Sequence, residues 1–218
     1  MNPHQVTRDF EAALCAYTGA PYAVAVNSCT MALLLSVAWH TKLDREQLAI
    51  IGRIPITIPR RTYISVPMSI IHGDGWPAFR EEDWQGWYRL SPFRIWDSAR
   101  FFSSGMYKTI THFNPSTYTS GGMVCVSFHA SKTLGLEQGG AILHDNPDAD
   151  AWLRRARFDG RTEGVAPKDD RFDMVGWHCY MNPSTAALGL LRLHSLPKHN
   201  APLPNDDYPD LSQLEIFK

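Results

Sequence analysis

Three stretches of the chain place polar, ionisable side chains directly after an apolar run: Asn27–Thr30, Asp97–Arg100 and Ser127–Lys132. Each run reads as a strand, and open α/β sheets gather their ligands at the carboxyl ends of strands. Ser28, Cys29 and Thr30 then open a helix, where free backbone N–H groups, two hydroxyls and the helix dipole favour an anion such as phosphate. The same residues also suit an ordinary N-cap without a ligand. Asp97 can pair with a ring N–H or a metal, or equally with Arg94 or Arg100. Lys132 has Phe128, His129 and Ala130 for neighbours. A lysine held partly out of water loses its proton more easily and attacks carbonyls; a surface lysine snorkelling past apolar groups gives the same pattern. Tyr63 either stacks on a flat cofactor or packs in the core. His129 and His178 are candidate acid–base groups, although isolated histidines often simply pack.

Composition narrows the chemistry. With 218 residues, 44% hydrophobic and 20% charged, the chain can bury a sizeable core. Its 21 Lys+Arg against 22 Asp+Glu leave a net charge of −1, so no global field draws in nucleic acid. The four cysteines have no metal-binding spacing, which argues against a metal site and a disulfide framework. No secretory signal or membrane-length apolar run is evident, and a cytoplasmic location is expected. Dinucleotide, P-loop, zinc-protease and nucleophile-elbow motifs are absent.

The elements that must position these residues alternate. Helical spacing runs from Val6 to Tyr17 and stops at Gly19 and Pro21. Strands are expected at Tyr22–Val26, at Ile54–Ile58 (an edge, because of Pro55), at Pro77–Phe79, at Phe93–Trp96, at Met123–Phe128 and from Gly139-Gly140 through Leu143. Helices are expected at Met31–Trp39, Thr62–Ile71, Asp148–Phe158 and Ser184–Leu193. The Trp-rich stretch 80–90 has no clear pattern, and 103–121 reads as a long loop. The order implies an α/β architecture with a mostly parallel sheet. Residues 1–195 form the expected domain, and 196–218 a Pro-rich tail that does not pack alone.

Taken in order, these pieces resemble the DegT/StrS-type sugar aminotransferases, pyridoxal 5′-phosphate (PLP) enzymes of fold type I. The matching stretches are Phe10-Glu11 through Ala20, Ala23 through Leu33, Pro59 with Thr62-Tyr63, Gly75 through Phe79, and Asp97-Ser98-Ala99. Ser127-Phe128-His129-Ala130-Ser131-Lys132 followed by Glu137-Gln138-Gly139-Gly140 is the most specific match; Gly176-Trp177 and Ala186 through Leu190 complete the set. The resemblance implies a three-layer α/β/α large domain. It makes Lys132 the lysine of the internal aldimine and the carrier of the substrate proton. Asp97 would pair with the pyridinium nitrogen, and Tyr63 would stack on the ring. Ser28, Cys29, Thr30 and Ser127 would hold the phosphate. Arg100 would lie beside the cofactor hydroxyl, and His178 would reach the partner subunit's phosphate in a homodimer with shared active sites. The implied reaction moves an amino group from an amino acid donor to a keto-sugar or other large carbonyl substrate. Decarboxylation or elimination on the same cofactor, and a degenerate binding protein, are the alternatives.

The sequence departs from the family in five respects. Cys29 replaces a glycine, so the turn there does not strictly require a positive φ. Arg100 replaces a glutamine and His178 an asparagine. Little chain separates Phe79 from Asp97, where the family carries a strand-helix-strand excursion. The family's smaller C-terminal domain has no counterpart, so an open site is expected.

Overall fold

The computed structural model describes residues 4–43, 52–112 and 121–218. In chain order the elements are α1 (Gln5–Thr18), β1 (Tyr22–Val26), α2 (Cys29–Leu43), β2 (Ile54–Pro59), α3 (Ser65–His72), β3 (Gly75–Arg80), β4 (Tyr88–Leu90), β5 (Ile95–Asp97), α4 (Met106–Thr111), β6 (Met123–Ser127), β7 (Gly140–His144), α5 (Pro147–Ala156) and α6 (Pro183–Ser195). Helix α4 falls in the stretch expected to be a loop; the rest of that expectation, 113–120, lies outside the described residues.

Strands β1, β7, β6, β5 and β4 form one sheet in that order, and β2 and β3 form a second. A pair of backbone hydrogen bonds between Thr57 and Ser91 (2.7 and 3.1 Å) joins β2 to the end of β4. The expectation of a mostly parallel sheet is corrected. β5–β6 and β2–β3 are parallel, but β1–β7, β6–β7 and β4–β5 are antiparallel. Connection length gives the reason: a parallel crossover needs about a dozen or more residues, whereas only residues 91–94 link β4 to β5. The chain must turn straight back.

Both faces of the five-stranded sheet are buried, as alternation along the strands requires. Val24, Val26, Cys125 and Ile142 face a core shared with α2, α3 and α5. Ala23, Ala25, Val124, Val126 and Leu143 face one shared with α1, α4 and α6. The result is three layers.

A buried ion pair ties α1, β1 and α5 together. Glu11 is paired with Arg157 and with Arg154 (2.6 Å), and also accepts from the Ala25 amide (2.9 Å). Burial by itself would raise the Glu11 carboxyl pKa; Arg157 and Arg154 outweigh it and hold it below the ordinary 4.5.

Residues 196–218 form no layer of their own. They lie across the body as a strap, through Ser104 N–Lys198 O (2.9 Å), Leu203 N–Arg100 O (2.8 Å) and Leu211 N–Arg60 O (2.9 Å). Leu211 and Phe217 are buried, and the Phe217 ring lies beside Phe79.

Replacing Glu11 by alanine leaves the buried Arg157 charge with only the longer Glu163 pair (3.9 Å), and is expected to destabilise the fold by about 3 kcal/mol in urea unfolding. Because the folded-state pKa is depressed, the contribution of Glu11 is present above the ordinary carboxylate value and is lost as pH falls through the folded value.

Candidate active site

Strand β1 hands the chain to α2 through Asn27, whose amide donates to Cys179 O (2.8 Å). Ser28 caps α2: its Oγ accepts from the Met31 amide (3.2 Å). Thr30 Oγ1 and Ser65 Oγ, the latter at the start of α3, are 2.9 Å apart. The double glycine before β7 explains how this turn sits so close to the sheet. A Cβ on Gly140 would lie 2.6 Å from both Cys29 N and Ser28 C, and Gly139 has φ near +145°. A side chain at Gly140 would force the turn to move, and at Gly139 the backbone conformation is one that L side chains rarely adopt.

Asp97 ends β5 and is buried. Tyr88 stands opposite it in the β4–β5 ladder and donates its hydroxyl to Asp97 Oδ2 (2.7 Å), while Oδ1 accepts from the Ala99 amide (2.9 Å). Tyr88 OH also lies 2.6 Å from Thr62 Oγ1. Burial pushes the Asp97 carboxyl above its usual pKa, opposed by Tyr88, Ala99 and the Lys132 charge. Burial and the Asp97 charge push the Tyr88 phenol well up, so it stays protonated and keeps donating.

Lys132 follows β6 in a tight turn, its amide donating to His129 O (2.8 Å). Burial and the Arg100 charge lower the pKa of its amine, with Asp206, Asp97 and Cys29 acting the other way. Burial and the Asp97 charge push the Cys29 thiol well up, which keeps it neutral.

One cavity of about 280 Å³ brings these groups together. Ser28, Cys29, Thr30, Tyr63, Asp97, Arg100, Ser127 and Lys132 all line it, as does His129. Tyr63 is more than half exposed. His178 is outside this cavity: it is exposed and pairs with Asp159 (2.9 Å). The Arg100 guanidinium, expected beside a cofactor hydroxyl, is engaged by the tail, through an ion pair to Asp206 and an Nε–Tyr208 OH bond of 3.2 Å. Tyr208 in turn stacks on Trp84, with ring centroids 6.1 Å apart. The expectation of an open site is therefore revised, because the strap covers part of the mouth.

Sequence reasoning missed five residues here: Thr62 as a polar partner, Tyr88, Trp84, Asp206 and Tyr208. Tyr88 and Trp84 fall in the stretch without a pattern, and only the short link to β5 hinted at the register that brings Tyr88 to Asp97. Nothing in the period-free tail marked Asp206 or Tyr208.

A family model for the DegT/DnrJ/EryC1/StrS aminotransferases matches residues 3–87 and 116–202, well over half of the chain. The chain belongs to that family. Among solved structures, it is similar to DesV of S. venezuelae in complex with a ketimine intermediate (19% identity, TM-score 0.61, covering 88% of this chain and 57% of that one). It is also similar to AtS13 from Actinomadura melliaura (19%, TM-score 0.65, 88% and 60%) and to Helicobacter pylori PseC, an aminotransferase involved in pseudoaminic acid biosynthesis (17%, TM-score 0.65, 88% and 58%). At these identities the likeness establishes the fold, that of fold type I enzymes. The chain spans less than two thirds of the length of these neighbours. The unmatched stretch 88–115 carries Tyr88, Asp97 and Arg100, so their place in the site rests on geometry.

The family is PLP-dependent, and the cavity suits that coenzyme. Hydroxyls and a helix N-terminus lie at its wall, a buried carboxylate lines it, and an amine of depressed pKa faces it. Among the described residues no helix is long and apolar enough to cross a membrane, and no cluster of three or more His, Cys, Asp or Glu suits a metal.

Tyr88→Phe removes the hydroxyl that favours the charged Asp97 carboxylate. Its pKa is expected to rise further, read as a carboxyl titration by carbon-13 NMR, and stability is expected to fall by about 1–2 kcal/mol.

Proposed function

We propose that the protein is a PLP-dependent aminotransferase that moves an amino group from an amino acid donor to a keto-sugar or other large carbonyl compound. The observation that carries this reading is the meeting of Lys132 and Asp97 in one cavity with the hydroxyls at the start of α2.

When bound, the coenzyme supplies an electron sink for the charge left on a substrate carbon. Ser28, Cys29 and Thr30, with Ser127, hold the phosphate, because helix N-terminal amides and hydroxyls suit a dianion. Asp97 would face the ring nitrogen, with Tyr88 and Ala99 favouring its charged form while burial opposes it. Tyr63 would pack on the ring face. Lys132 Nζ, with its lowered pKa, would hold the coenzyme through its aldehyde and serve as the base that carries a proton. Arg100 and the strap limit water at the mouth. His178, exposed on the body, serves the phosphate of the second subunit in a homodimer. A cytoplasmic location accompanies this reading.

Purified protein given PLP is expected to show a visible absorption band that shifts on borohydride treatment and is missing in Lys132→Ala. Asp97→Ala is expected to keep the coenzyme and lose most turnover. Amino acid formed from pyruvate or 2-oxoglutarate supports transamination; release of carbon dioxide instead would refute it. No PLP uptake would refute the coenzyme assignment.

A further inference from the structure

The strap presents a carboxylate to the one arginine that lines the cavity among the described residues. The Arg100 side chain is 8% exposed, whereas that of its ion-pair partner Asp206 is 69% exposed. Arg100 belongs to the body, three residues beyond Asp97, and its carbonyl is where the strap's Leu203 amide attaches (2.8 Å). A nearly buried guanidinium at a cavity wall is a fork of N–H donors shaped for a carboxylate. An exposed aspartate on a segment without regular structure is a replaceable partner for it, since water competes for its carboxylate. The contacts that seat this part of the strap are few: Asn205 Nδ2 to Trp84 O (2.6 Å), Arg61 Nη1 to Tyr208 O (3.4 Å), the Tyr208 ring on Trp84, and the Tyr208 hydroxyl on Arg100. The backbone anchors at Leu203 and Leu211 lie on either side, so the stretch between them can lift without freeing the ends.

We propose that Arg100 is the receptor for the carboxylate of a small amino or keto acid, and that Asp206 is a built-in surrogate which the incoming acid displaces. The identity of the acid as a donor for Lys132 chemistry rests on the aminotransferase reading; the carboxylate site itself does not. The exchange trades one carboxylate for another at the same guanidinium, so the charge of the closed site is conserved. Only the neighbouring strap contacts are given up.

The test uses glutarate, a dicarboxylate with neither an amino nor a carbonyl group, titrated calorimetrically into the full chain with and without PLP. Asp206→Asn removes the competitor without touching the core and is expected to tighten glutarate binding by about tenfold or more, equivalent to about 1.4 kcal/mol. Arg100→Gln is expected to abolish it, and Arg100→Lys, which keeps the charge but loses the fork, to weaken it. Unchanged affinity in Asp206→Asn overturns the proposal, as does binding by Arg100→Lys that equals the unsubstituted protein; the second variant covers the case in which Arg100→Gln does not fold. Arg100-dependent glutarate binding by a chain that never takes up PLP would keep this site and sink the aminotransferase reading. PLP uptake with glutarate binding indifferent to Arg100 would do the reverse.

Discussion

The short link between β4 and β5 governs the site. Residues 91–94 cannot carry a crossover, so β4 turns back along β5 and its first residue comes to lie opposite the last of β5. That register makes Tyr88 and Asp97 partners. A carboxylate buried at the end of a strand is penalised by the loss of water; here a phenol hydroxyl and a backbone amide replace part of that water and favour the charged form. Where the family resemblance leads one to expect a strand-helix-strand excursion, a hairpin brings a buried carboxylate to the cavity by a shorter route.

Electrostatics then set apart the two groups that would act. Asp97 and Lys132 feel each other across the cavity, yet burial moves the carboxyl up and the amine down, toward their neutral forms. Two hydrogen bonds, from Tyr88 and the Ala99 amide, oppose that shift at the aspartate. At the lysine the guanidinium of Arg100 reinforces it.

Much of the layered fold was legible in the sequence, because apolar periodicity and turn residues mark α1, β1, α2, β6, β7, α5 and α6 directly. Ser28, Thr30, Asp97, Ser127 and Lys132, which the ordered motifs single out, line one cavity. Strand direction was not legible: alternation of strands and helices suggested parallel pairing, but β7 follows β6 without an intervening helix, and β4 emerged from a stretch whose Trp and charged residues show no period. The strap was equally opaque. Its order comes from isolated hydrogen bonds and ring contacts with distant residues such as Arg60, Trp84 and Arg100, and nothing in its local pattern announces them.

The junction between the two sheets has a mechanical consequence. Strands β2 and β3 are bonded along their whole length, but among the described residues their backbone bonds to the five-stranded sheet are the Thr57–Ser91 pair, supplemented by Arg80 Nη2 on Arg89 O (3.0 Å). The cavity straddles this seam, with Thr62, Tyr63 and Ser65 on one plate and Asp97, Ser127 and Lys132 on the other. Compliance concentrates where backbone bonds are fewest. The seam is therefore the line of fewest backbone bonds between the two walls of the cavity, and the Thr62–Tyr88 hydroxyl contact is a further link across it.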